Sequence, residues 1–129
     1  MEAIDKVISL EKEALKGWSS GDALAYGIHA HPDSIYFDNL GAQNQIEGKD
    51  NVRKYAETAF AELPAHNFEI VGLKARQYGE TVILSYQYHP TMFDGTAGSK
   101  WAATVVYALF DGHWKMVHAS WTMLMAPPE

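Results

Sequence analysis

Apolar positions change period part-way along the chain. Over residues 3–18, Ile4, Val7, Ile8, Leu15 and Trp18 recur at the spacing of one helix face, which predicts an amphipathic helix whose stripe is interrupted by Glu11. Ser19-Ser20-Gly21-Asp22 supplies an exit for that helix and an N-cap for a second, short one carrying Leu24, Tyr26 and Ile28, which stops near His31-Pro32-Asp33. Ser34–Asp38 reads as a short strand, with Asn39-Leu40-Gly41 as its exit turn. After Gly48-Lys49-Asp50, the residues Val52, Tyr55, Ala56, Ala59, Phe60 and Leu63 form the stripe of a third helix, which Pro64 ends.

From there the period is two. Asn67–Gln77, Thr81–His89, Lys100–Phe110 and His113–Met123 are expected strands, joined by turns at Tyr78-Gly79-Glu80, Asp94–Gly98 and Asp111-Gly112, and Ala126–Glu129 is an extended end. The Asp-Gly turn between two β-rich runs is the clearest hairpin signal in the chain. Helices segregated from a meander of strands predict an α+β domain, a curved antiparallel sheet wrapped as a cone around the N-terminal helices, with an open end that makes a pocket. Both arms of the last hairpin are apolar at nearly every position, so both faces should be covered, one by helices and the other by a ligand pocket or a second subunit. An uncovered face of Val, Trp, Met and Ala would be a large exposed apolar patch, and a homodimer is expected to bury it.

At 129 residues the chain is most simply one domain, spanning residues 1–129, and its 47% hydrophobic content excludes a disordered tail protein. No apolar run reaches the ~18 residues of a membrane span, and the N-terminus lacks a signal-peptide layout. The absence of cysteine excludes disulfides and thiolate metal sites and makes a reducing cytoplasm the natural location. A net charge of -6 without a Lys/Arg cluster disfavours nucleic-acid binding. His29 and His31 have no third ligand at fixed spacing, so neither a metal nor any other cofactor is expected.

Trp18-Ser19-Ser20-Gly21-Asp22 with Tyr26, Tyr36-Phe37-Asp38, Ile46-Glu47-Gly48-Lys49-Asp50 and Asp111–His118 together resemble the nuclear-transport-factor-2-like superfamily. Within it they are most similar to the SnoaL-like members and to the association (hub) domain of calcium/calmodulin-dependent kinase. The resemblance covers nearly the whole chain and implies the cone-shaped α+β fold. It leaves function open, because that scaffold hosts isomerases, cyclases, dehydratases, binding modules and assembly hubs. Residue by residue, the general base of ketosteroid isomerase would fall on Asp38. Its oxyanion donors would fall on Ala14 and near Val106, neither of which donates a side-chain hydrogen bond. The tyrosine of the kinase hub pocket would fall on Tyr26, and its arginines on Tyr88, Val105 and Trp121, which implies an aromatic cavity in place of a cationic one and a flat or apolar ligand.

Asp38 is thus the expected base, its charged form disfavoured if it faces an aromatic pocket; the alternative is a carboxylate that only bonds the turn after it. Tyr26 or Tyr88 is the expected polarising donor. Trp101, Val105, Tyr107 and Trp121 are expected pocket walls or plain core, with His89 at the pocket rim or in a solvated loop. Strand alternation places Val105, Tyr107 and Trp121 towards the cavity, and Trp114, Met116 and His118 on the opposite face. Two functions remain open from the residues. One is a cofactor-independent acid/base enzyme of isomerase, cyclase or dehydratase type acting on an apolar or aromatic small molecule. The other is a non-catalytic ligand-binding or oligomerisation domain.

Overall fold

The computed structural model describes residues 2–40 and 45–124. Gly41 of the expected exit turn and the Ala126–Glu129 end lie outside them. Helix α1 (Ala3–Ser19) is followed by a single 3-10 turn at Ala25–Gly27, strand β1 (Ala30–Asp38), strand β2 (Ile46–Glu47) and helix α2 (Lys49–Ala59). Strands β3 (His66–Tyr78), β4 (Thr81–Met92), β5 (Trp101–Phe110) and β6 (His113–Met123) complete the chain. No described helix is long and apolar enough to cross a membrane.

The strands form one curved, unclosed six-stranded sheet in the order β2-β1-β6-β5-β4-β3, an α+β architecture as expected. The sheet is mixed rather than wholly antiparallel, because β1 runs parallel to β6. The long path through α2 and the meander between these two strands permits that parallel pairing, which a tight hairpin forbids. The expected second helix is only the 3-10 turn, with i→i−3 bonds from Gly27 N–H to Leu24 and from Ile28 N–H to Ala25. The turn packs directly on α1, where a Cβ on Gly17 would stand 2.5 Å from that of Ala25. Strand β1 starts four residues earlier than the sequence pattern suggests, at Ala30, and its ladder with β6 is irregular between Ala30 and Ile35. Pro32, which has no N–H to give a ladder, lies within that irregularity. Helix α2 ends at Ala59 instead of Leu63. Phe60 leaves helical geometry to pack edge-on against Trp18, with ring centroids 4.9 Å apart.

The core lies between the inner sheet face and α1. Val82, Leu84, Tyr86 and Tyr88 of β4 and Ala103, Val105 and Tyr107 of β5 are buried against Val7 and Leu15 of α1. The β5–β6 hairpin closes through Asp111 (φ 49) and Gly112 (φ 80), the two successive positive-φ residues that a type I′ turn requires. Along this hairpin the register shifts once, since Val106 faces His118 while Tyr107 faces Met116. Val117 is therefore an extra, unopposed residue, a β-bulge that reverses side-chain parity beyond it. His118 lies on the outer face, its ring 5.9 Å from that of Phe37. Met116 does not share that face, as alternation had suggested; the bulge turns it inward, where it is buried in the core. Trp114 likewise packs against the core.

Candidate functional site

A cavity of about 190 Å³ opens between α1 and the inner sheet face. Its walls are Leu15 and Trp18 of α1, Tyr26 of the 3-10 turn, Phe60, Leu63 and Pro64 after α2, and Trp101 and Trp121 of β5 and β6. Pro90 and Met92 at the end of β4 and Gly98 and Ser99 of the β4–β5 connection line it as well. The connection is tightly held: Gly98 N–H donates to Pro90 at 3.0 Å and Met92 N–H to Thr96 at 2.8 Å. Trp121 packs edge-on against Tyr26, Tyr86, Tyr88 and Trp101, with centroids 5.4, 5.8, 5.9 and 6.3 Å away. Its indole Nε1–H is buried and, among the described residues, has no hydrogen-bond partner.

Two polar side chains of this mostly apolar lining are joined to each other. His66, at the start of β3, and Tyr88, on β4, both line the cavity and are both buried. His66 Nδ1 lies 2.8 Å from the carbonyl oxygen of Pro64, and Nε2 lies 2.6 Å from the Tyr88 hydroxyl. A carbonyl can only accept, so Nδ1 carries the proton in the neutral ring and Nε2 is the acceptor for Tyr88 Oη–H. Burial pushes the Tyr88 hydroxyl well above the usual phenol range. Phe68 stacks on the Tyr88 ring, centroids 5.0 Å apart and planes 17° apart, and holds it in place.

A second polar cluster lies deeper. Glu11, on the core side of α1, is only 2% exposed and accepts three tyrosine hydroxyls. Tyr26 donates to Oε2 at 2.7 Å, Tyr86 makes a short bond to the same oxygen, and Tyr107 donates to Oε1 at 2.8 Å. Burial raises the carboxyl above its ordinary range, while the three hydrogen bonds pull it back. Tyr26, Tyr86 and Tyr107 are all raised, first by burial and then by the neighbouring carboxylate.

Of the residues singled out from the sequence, Tyr26, Tyr88, Trp101 and Trp121 meet around the cavity. Val105 and Tyr107 do not line it; both point to the inner face but are wholly covered there, and Tyr107 spends its hydroxyl on Glu11. His89 is also off the cavity. It follows Tyr88 on β4, so alternation turns it to the opposite face, where its Nε2 lies 2.8 Å from the Gln87 amide oxygen. Asp38 is buried but is not among the cavity residues. Its strand ends beside Trp121, and Tyr55 of α2 reaches over it. Oδ2 accepts from the hydroxyls of Tyr36 at 2.9 Å and Tyr55 at 2.7 Å, and Oδ1 accepts from the Leu40 N–H at 2.8 Å. His29 pairs with Glu13 at 3.0 Å, whereas His31 stacks on Phe110 at 4.2 Å. Among the described residues no group of three potential ligands is placed to hold a metal ion.

Glu11 and His66 were not singled out as site residues from the sequence. Glu11 carried a signal, since it breaks an otherwise apolar stripe. His66 carried none, because what makes it notable is Tyr88, 22 residues away.

Residues 7–126 match the SnoaL-like domain family. The chain belongs to that family. Solved structures similar to it include a candidate ketosteroid isomerase from Parabacteroides distasonis, 25% identical, with a TM-score of 0.79 over 95% of this chain and 89% of the other. An NTF2-like protein of unknown function from Pseudomonas putida is 19% identical, with a TM-score of 0.83 over 96% and 88%. The S. rosetta CaMKII hub is 20% identical, with a TM-score of 0.75 over 96% and 98%. No curated protein matches the chain.

Proposed function

We propose that this SnoaL-like protein binds a flat, apolar small molecule in the aromatic cavity and performs cofactor-independent proton transfer on it, of isomerase, cyclase or dehydratase type. The observation that carries this reading is the buried His66–Tyr88 pair in the wall of a largely apolar cavity. An engineered apolar cavity of about 150 Å³ admits benzene, so about 190 Å³ suits a one- or two-ring ligand. Tyr88 is the group beside the ligand, and His66 takes the tyrosine proton when Tyr88 receives one, which makes the pair a base built from two neutral groups. Tyr26 supplies wall rather than a free donor, because its hydroxyl is engaged by Glu11. Asp38, beside Trp121 but outside the cavity, holds Tyr36 and Tyr55.

The test is deuterium exchange into 2-tetralone, a two-ring carbon acid, followed by NMR in D₂O. Wild type and Asp38→Asn should accelerate exchange above the buffer rate, and Tyr88→Phe should not. Exchange that survives Tyr88→Phe and disappears in Asp38→Asn would return the role of base to Asp38.

A homodimer through the outer sheet face is the second part of the reading. Ile83, Val106, His118 and Ile35 face one another in a row across four adjacent strands, all half-buried. The same fold serves as a hub in the kinase protein named above.

A further inference from the structure

We infer that the cavity selects ligands that donate a hydrogen bond, a hydroxylated one- or two-ring compound, over ethers and hydrocarbons of the same shape. The inference rests on the cavity being the ligand site, and it names the chemical class of that ligand. The argument starts at Pro64. Its carbonyl oxygen, 2.8 Å from His66 Nδ1, admits only a donor, so the hydrogen of the neutral imidazole sits on Nδ1. Nε2 then has a lone pair and no hydrogen, and the group 2.6 Å away must donate to it. That group is the Tyr88 hydroxyl, which has one hydrogen. With the hydrogen committed to His66, what Tyr88 has left for a ligand is an oxygen lone pair.

The pair is held in this state by its surroundings. His66 and Tyr88 are 5% and 3% exposed, and Phe68 stacks on the tyrosine ring, so neither side chain has room to turn to another partner. A ligand atom placed against Tyr88 in the cavity must therefore bring its own hydrogen. An acceptor there meets lone pair against lone pair, and a hydrocarbon leaves the tyrosine oxygen short of a partner.

The experiment measures binding of naphthalene, 2-naphthol, 2-methylnaphthalene and 2-methoxynaphthalene by calorimetry. Each is titrated into wild type, Tyr88→Phe and His66→Phe, with thermal unfolding to check that each variant is folded. In wild type 2-naphthol should bind about tenfold to a hundredfold more tightly, relative to 2-methylnaphthalene, than it does in Tyr88→Phe, the range expected for one hydrogen bond to a buried group. His66→Phe should release the tyrosine hydrogen, so 2-methoxynaphthalene should gain on 2-naphthol. A merely structural role for His66 would weaken both ligands alike. Equal ratios of 2-naphthol to 2-methylnaphthalene in wild type and Tyr88→Phe, with naphthalene still bound, would overturn this inference and leave the cavity reading standing. Failure of all four compounds to bind wild type would overturn the cavity reading and the inference with it.

Discussion

Replacing Glu11 tests how the interior beneath the cavity is held together. In Glu11→Leu the side-chain volume is roughly kept, but the shared acceptor of three hydroxyls is gone. Tyr86 and Tyr107 are 4% and 0% exposed, so neither hydroxyl has water to turn to. An orphaned buried donor costs about 1–3 kcal/mol, and two of them give about 2–6 kcal/mol. Half-buried Tyr26 adds less. Leucine also removes a carboxyl that is itself costly to bury, which offsets part of the loss. The expected net destabilisation is about 2–4 kcal/mol at pH 7, read from urea unfolding followed by circular dichroism. The double variant with Tyr107→Phe separates the causes. Tyr107→Phe alone should cost about 1–3 kcal/mol, because Oε1 of a buried carboxylate loses its donor, but should be neutral or stabilising alongside Glu11→Leu.

The pH dependence has a definite sign. Burial raises the Glu11 carboxyl in the folded state, so its contribution to stability is fully present below the unfolded value of about 4.3 and is lost as pH rises through the folded one. Glu11→Gln does not titrate, so its stability relative to wild type should improve as pH rises across that window, by up to about 1.4 kcal/mol per pH unit. A Glu11→Leu protein within about 0.5 kcal/mol of wild type, or a Tyr107→Phe cost that is the same in both backgrounds, would refute the reasoning.

Two further outcomes follow from the packing. Gly17→Ala places a Cβ 2.5 Å from that of Ala25, so α1 and the 3-10 turn must part; a loss of about 1–3 kcal/mol is expected, with unchanged unfolding temperature as the contrary result. Light scattering at micromolar concentration should give a dimer mass that falls to a monomer mass when His118→Asp puts a charge in the row Ile83, Val106, His118 and Ile35, and a monomeric wild type would sink the outer-face interface.

Much of the fold was readable because it rests on short-range pattern. The α1 stripe, the four meander strands and the Asp111-Gly112 turn are each encoded within a dozen residues, and the motif Asp111–His118 pointed to the family that residues 7–126 confirm. The misreadings share one cause. Parity along β6 is a local rule, but the Val117 bulge belongs to the pairing with β5, so Met116 was placed on the wrong face. The second helix was inferred from Leu24, Tyr26 and Ile28, but the segment is held by the close approach of Ala25 to Gly17 and by the Tyr26–Glu11 bond, with only one 3-10 turn of its own.

The site divides along the same line. Residue type and alternation were enough to collect Tyr26, Tyr88, Trp101 and Trp121, because an aromatic on the inner face of a half-covered sheet has few places to go. They were not enough to tell cavity from core. Val105 and Tyr107 share that inner face, yet lie fully covered in the core. The sequence by itself determined α1, the four meander strands with the Asp111-Gly112 turn, and the inward parity of Val105 and Tyr107 on β5. Tertiary structure alone decided that Glu11 gathers three tyrosines from as far as 96 residues away, and that His66 meets Tyr88. Hydrogen bonds between distant side chains leave no period in a sequence. They are set by where whole elements come to rest, and here they fix which polar groups in the interior are spent and which remain free.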